Sequence, residues 1–163
     1  MGQNDQPLFD RVLRSGLGYT LIRFDWSGIT VATGSYLKAA YLPIFQKRSA
    51  PLLISSDLAD TVAEDLLIVL ENQGLQMLVA KRVKRKQYDI SVTGELDAAY
   101  RETLDVVRAK RSVTAGALFD EDKKNIGKTA WMNRLSRLYE MGLLTREKIG
   151  KEYRYSFPSI KEI

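Results

Sequence analysis

Between positions 128 and 137 the chain carries a dense run of hydrogen-bond donors: Lys128, Thr129, Asn133, Arg134, Ser136 and Arg137. Trp131, Leu135 and Leu138 are interleaved with them at i, i+4 and i+7, the spacing of one apolar stripe on a helix. With the stripe turned inward, the donors are left outside. Asn and Arg can each make paired hydrogen bonds to purine edges, whereas Lys and Thr more often hold phosphates. Lys128, Thr129, Asn133 and Arg137 are therefore expected nearest to bases or backbone, and Trp131 is read as a core anchor. A second cationic group, Lys148, Lys151 and Arg154, surrounds Gly150, a natural turn residue. It suits a minor groove or the adjoining backbone, although a charged hairpin tip also resists edge pairing. The chemistry indicated is recognition of a polyanion.

Catalysis has little to work with. The sequence has no cysteine and no histidine, which removes disulfides, thiolate nucleophiles, Cys/His zinc sites and imidazole acid–base chemistry together. There is no P-loop and no dinucleotide fingerprint. Asp120-Glu121-Asp122 reads as a solvated, helix-capping turn, not a metal site. The expectation is a non-enzyme with no cofactor and no metal. The formal net charge of +5 and pI near 9.4 favour anionic partners without requiring them. Five cations in the six positions 81–86 add to this, but a strand sends alternate residues to opposite faces, so only part of that run can meet one partner.

The elements that must position these groups are legible from punctuation and period. Gly142 should end the helix that starts near Gly127, and Tyr153, Tyr155 and Phe157 alternate like a half-buried returning strand. Upstream, positions 95–111 form a helix with Leu96, Tyr100, Leu104 and Val107 on one side. This helix is a candidate dimer element, if its apolar side exceeds what one small domain can cover. Thr114 can cap a short helix over 115–119, and a polar turn spans 120–125.

The first 93 residues read as a short helix (8–14), strands at 19–26 and 29–32, and a helix from Thr33 with Leu37, Tyr41 and Ile44 on one face, ending near Lys47-Arg48. A short strand at 52–54 and a helix capped by Ser56 or Asp57 follow. That helix carries the stripe Leu58, Val62, Leu66, Val69 and Leu70 and stops at Gly74. Strands at 75–83 and 87–93 complete an α/β arrangement of helices on a sheet. No apolar run nears the roughly 20 residues of a membrane span, and the N-terminus does not read as a secretory signal. A cytoplasmic protein without membrane contact is expected.

The segment Arg134-Leu-Ser-Arg-Leu-Tyr-Glu-Met-Gly-Leu-Leu144, followed by Gly150-Lys-Glu-Tyr-Arg-Tyr-Ser-Phe157, resembles the winged-helix families of bacterial regulators related to the MarR and ArsR groups. In those families the Leu-x-x-Leu-x-x-x-Gly-Leu spacing closes the recognition helix, and Gly-x-x-Tyr-x-Tyr-x-Phe is the returning wing strand. Met132 stands where they commonly place a small polar residue. The first part is similar to a STAS-like domain, the fold of anti-anti-sigma factors, on Leu21-Ile-Arg-Phe-Asp-Trp-Ser-Gly-Ile29 and Thr33-Gly-Ser-Tyr-Leu-Lys-Ala-Ala40. Thr33 or Ser35 would correspond to the phosphorylated serine of that family, whose Asp-Ser-Ser-Gly sequence is absent here.

The resemblances imply an α+β chain: a STAS-like α/β domain over 1–93 and a winged helix-turn-helix domain over 94–163. They imply a recognition helix at 127–142 in the major groove of double-stranded DNA and a wing at 144–157. A twofold homodimer, and a protein or small-molecule signal at the N-terminal domain, are the expected partners. The alternative is a protein-interaction module of a sigma-factor or kinase pathway, with little affinity for DNA.

Overall fold

Leu-Ile-Arg-Phe-Asp, five residues that suit an extended, half-buried backbone, form the first strand, β1 (Leu21–Asp25). The structure, a computed structural model, describes residues 11, 21–46, 52–122 and 125–160. Most of the expected first helix and the expected end of the second, near Lys47-Arg48, fall outside these residues.

After β1 the chain turns at Ser27-Gly28 and runs irregularly to Thr33, whose hydroxyl accepts from the Tyr36 amide and caps a helix over 34–46, α1. The middle of α1, Leu37–Tyr41, is wound as a π-helix. β2 (Leu52–Ser56) lies parallel to β1, and α2 (Asp60–Gln73) leads to β3 (Met77–Lys84), which is parallel to β2. β4 (Gln87–Thr93) returns antiparallel. The four strands lie in the order β1-β2-β3-β4, a mixed sheet in which the parallel neighbours are joined by helical crossovers. Leu37, Tyr41 and Phe45 of α1 share one core with Val62, Leu66 and Leu70 of α2 and Met77 of β3. On the opposite side of the strands Ile54, Leu78 and Ala80 are also buried.

Two local expectations are corrected here. Ile29 to Ala32 form no strand. The Ile29 amide closes a turn onto the Trp26 carbonyl, and the Thr30 carbonyl accepts from the Thr61 hydroxyl, so the segment has no ladder to join. Neither Ser56 nor Asp57 caps α2. Ser56 ends β2 and donates to the Phe24 carbonyl, while Asp57, at φ 55°, accepts from the Arg82 amide. The cap position belongs to Ala59, without a side-chain bond, and Asp60 supplies the favourable charge in the first turn.

The chain divides into two compact units, 1–95 with 159–163, and 96–158. The second opens with α3 (Ala98–Lys110), followed by β5 (Ser112–Thr114), α4 (Ala115–Glu121), α5 (Lys128–Glu140), β6 (Thr145–Ile149) and β7 (Glu152–Ser156). Its sheet has the order β5-β7-β6, antiparallel throughout. Thr114 caps α4 by accepting from the Ala117 amide, as expected. That helix runs two residues past Phe119, so Asp120 and Glu121 are helical, and Glu121 pairs with Lys110 at 2.5 Å. β5 was not anticipated. It is three residues long and exists through its pairing with β7.

Leu104 and Val107 of α3 are buried, and no large apolar residue of α3 is exposed. Tyr100 and Val106 of the same helix are half-buried. The protein is an α+β chain with a mixed sheet and, among the described residues, five helices, none long and apolar enough to cross a membrane.

Candidate nucleic-acid interface

α5 begins after Gly127 and ends where Gly142, at φ 72°, turns the chain left-handed. Leu143 and Leu144 follow, both buried, and pull the chain directly into the hairpin. On the helix itself Trp131, Leu135 and Leu138 are buried, at 5%, 0% and 0% exposure. At 3.6 residues per turn the side opposite that stripe carries Thr129, Asn133, Ser136 and Glu140, with Met132 and Arg137 on its shoulders. Thr129, Met132, Asn133 and Arg137 are exposed and Ser136 is half-buried.

Two of the six donors lie elsewhere. Lys128 is on the flank, where its ammonium meets Glu152 of β7 at 2.8 Å. Arg134, half-buried on the other flank, lies 5.9 Å over the Trp131 ring. The donors expected as one group thus divide into an outward set and two flanking cations.

The hairpin divides as well. Directly opposed residues share a face, so Arg146 and Lys148 lie with Tyr155 and Tyr153, while Glu147, Arg154 and Glu152 lie on the other face. Lys151 sits in the turn beside Gly150, whose φ is 59°. Lys148 and Arg154 therefore lie on opposite faces of the ribbon. Tyr155 is buried, but Tyr153 is 41% exposed, a departure from the half-buried alternation expected of the returning strand.

Several carboxylates are set against these cations. Arg137 meets Glu140 at 3.3 Å and Arg154 meets Glu147 at 3.4 Å, both on the surface, where such pairs contribute little. The Lys128 ammonium, bonded to Glu152, keeps the Glu152 carboxyl below its ordinary value, and Glu152 in turn raises Lys128. For Glu152 this attraction is present above the ordinary glutamate range and is lost as pH falls through the depressed value. For Lys128 it is present below the ordinary lysine range and is lost as pH rises through the elevated one. The clamp is intact across neutral pH.

One cation was missed in the sequence. Arg146 is exposed, and its guanidinium lies 4.1 Å from the Tyr139 ring and 4.4 Å from the Tyr153 ring. Stacking between two aromatic faces restrains the side chain while leaving its N–H edge available, the state in which arginine loses least freedom on meeting a phosphate. The pairing of β6 with β7 sets Arg146 beside Tyr153, but Tyr139 comes from α5. Counting cations alone does not find it.

Among the described residues no group of three or more Asp or Glu side chains is arranged to hold a metal ion. Comparison with known proteins gives no family whose model matches the chain and no curated protein that matches it.

Proposed function

We propose that the chain is a sequence-specific DNA-binding transcriptional regulator. Its second unit acts as a winged helix-turn-helix, with α5 in the major groove and the β6–β7 wing on the adjoining backbone or minor groove. The observation that carries this reading is the outward set on α5: Thr129, Asn133 and Arg137 stand exposed while Trp131, Leu135 and Leu138 are locked inward. In such motifs the first turns of the helix reach base edges. Asn133 then reads adenine and Met132 packs on a thymine methyl, while Arg137, in the last turn, holds a phosphate or reaches across to a guanine. Lys148, Lys151, Arg154 and Arg146 hold the backbone. In this reading the protein is a cytoplasmic homodimer on a twofold site and performs no catalysis. The first unit, read as STAS-like on its Thr33-capped helix, receives the signal.

Purified protein should retard DNA from upstream of its own gene, with affinity falling steeply as salt rises, by a log–log slope of about −0.9 per phosphate contacted. No retardation at low salt with any genomic fragment would remove the proposal.

The Lys128–Glu152 clamp yields a second expectation. A phosphate near the start of α5 must compete with Glu152 for that ammonium. Glu152→Gln should therefore strengthen binding and steepen the salt slope by about one. A slope unchanged by this substitution places Lys128 outside the contact.

The rival reading, a protein-interaction module, has one observation in its favour. Lys128, Arg137 and Arg154 each have a carboxylate partner within the unit, which lowers the field a duplex would feel. It requires a stoichiometric protein complex and negligible DNA affinity.

A further inference from the structure

The first unit contains a cavity of about 430 Å³ at the end of β1, within the size range of small-molecule sites. Its walls include four aromatic side chains, Phe24, Trp26, Tyr36 and Tyr41. Two of these walls are fixed from behind. The Trp26 indole donates to the Tyr41 hydroxyl at 3.0 Å, and that hydroxyl shares a 2.5 Å hydrogen bond with Ser55, which in turn donates to the Met77 sulfur. Burial pushes the Tyr41 phenol up, so it stays neutral. Trp26 and Tyr41 meet edge-on at 4.7 Å, and Phe24 and Tyr41 at 5.7 Å. The π-wound turn Leu37–Tyr41 delivers Tyr41 to this spot; such turns are rare and frequent at functional sites.

Among the described residues Asp25 is the one charged group in the lining. Its Oδ1 accepts from the Ser27 amide at 2.9 Å, and this turn holds the carboxyl below its ordinary range. Arg23 lies 3.6 Å from Oδ2, but its guanidinium also stacks on the Tyr88 ring at 5.0 Å and donates to that hydroxyl. At the mouth Ile29 and Val31 are 43% and 77% exposed, apolar surface left in water beside an apolar chamber.

Aromatic walls attract cations through the negative faces of their rings, and a carboxylate at the rim adds direction. Among the described residues the lining offers an anion no cation, and the neighbouring Arg23 is already engaged by Asp25 and Tyr88. We infer that this cavity is a binding site for a small organic cation, an amine carried on an aryl or alkyl body. The ammonium sits over the rings with the Asp25 carboxylate at the rim, and the body covers Ile29 and Val31. The inference deepens the signal-receiving role given to the first unit above, and names the class of signal.

The test is calorimetric titration of the full chain with phenethylamine, 2-phenylethanol and phenylacetate, which share a body and differ in charge. The amine should bind on the order of tenfold tighter than the alcohol, the equivalent of about 1.4 kcal/mol, and the acid should not bind. Asp25→Asn keeps an acceptor for the Ser27 amide, and it should bring the amine to the level of the alcohol. Val31→Arg, at an exposed position that the fold does not need, should abolish amine binding. Equal affinity for all three probes, preference for the acid, or amine binding indifferent to both substitutions would overturn the site. DNA affinity with and without saturating phenethylamine then tests the regulatory role separately. An unchanged affinity overturns the link to regulation, whereas failure to bind overturns the cavity.

Discussion

Gly94→Ala should destabilise the first unit by about 3 kcal/mol or more. Gly94 follows β4 at φ +95°, outside the region that side chains adopt readily, and a Cβ there would lie 2.3 Å from the Leu75 carbonyl oxygen. Two costs combine. Backbone strain of this kind is worth about 1–3 kcal/mol, and the atom in the way is main chain, which cannot swing aside. Gly74 separates the two, because it sits at φ +61° with nothing within 4 Å of the same position. Gly74→Ala should cost only about 1 kcal/mol. Thermal unfolding of both variants decides the matter. For a unit of this size 3 kcal/mol corresponds to a drop of roughly 12 °C or more in Tm. Equal shifts for the two would show that the Leu75 carbonyl yields and that the clash is relieved.

Arg137→Ala should weaken DNA binding by about 1–3 kcal/mol, roughly five- to 150-fold, while leaving the fold untouched. Arg137 and Glu140 are each 57% exposed, and their pair is separated by one helical turn, so its loss should cost a few tenths of a kcal/mol in stability. The form of the loss carries the information. If Arg137 reads a guanine, the variant should lose discrimination at one base pair, while its affinity for random DNA changes little. A uniform loss across sequences, with a salt slope shallower by about one, assigns the residue to a phosphate instead. Asn133→Ala gives the companion measurement one turn nearer the start of α5. Binding unchanged by both substitutions would remove the major-groove reading of this helix.

The parts of the fold that could be read in advance are those held by local chemistry. The stripe Trp131-Leu135-Leu138 is buried as its spacing requires, and β4 has the expected limits, 87–93. Gly74, Gly142 and Gly150 all take the left-handed conformations that turn chemistry assigns to them. What escaped was set by partners distant in sequence. β5 is held by β7, some forty positions later, and its three residues have no period to detect. Ile29, Thr30 and Val31 have strand-forming side chains, but among the described residues no strand pairs with them. Ser56 and Asp57 are good caps by type, yet β2 and the Ala80 carbonyl, which accepts from the Asp57 amide, claim that backbone.

The interface was legible to the same degree. Exposure of Thr129, Asn133 and Arg137 follows from helical period alone. The clamp between Lys128 and Glu152, and the stacking of Arg146 between Tyr139 and Tyr153, depend on how β7 packs back against the helix. A count of cations along the chain weights all of them equally, while the folded unit engages some and leaves others available.

Gly150 has open space around it, and Ile149 beside it is 39% exposed. Residues inserted there would lengthen the ribbon without disturbing Leu143, Leu144 or Tyr155 at its base. Such loop tips are where natural proteins accept extra residues most readily. Descendants of this gene could thus acquire a longer ribbon by small duplications at one codon, leaving the packing of α5 as inherited.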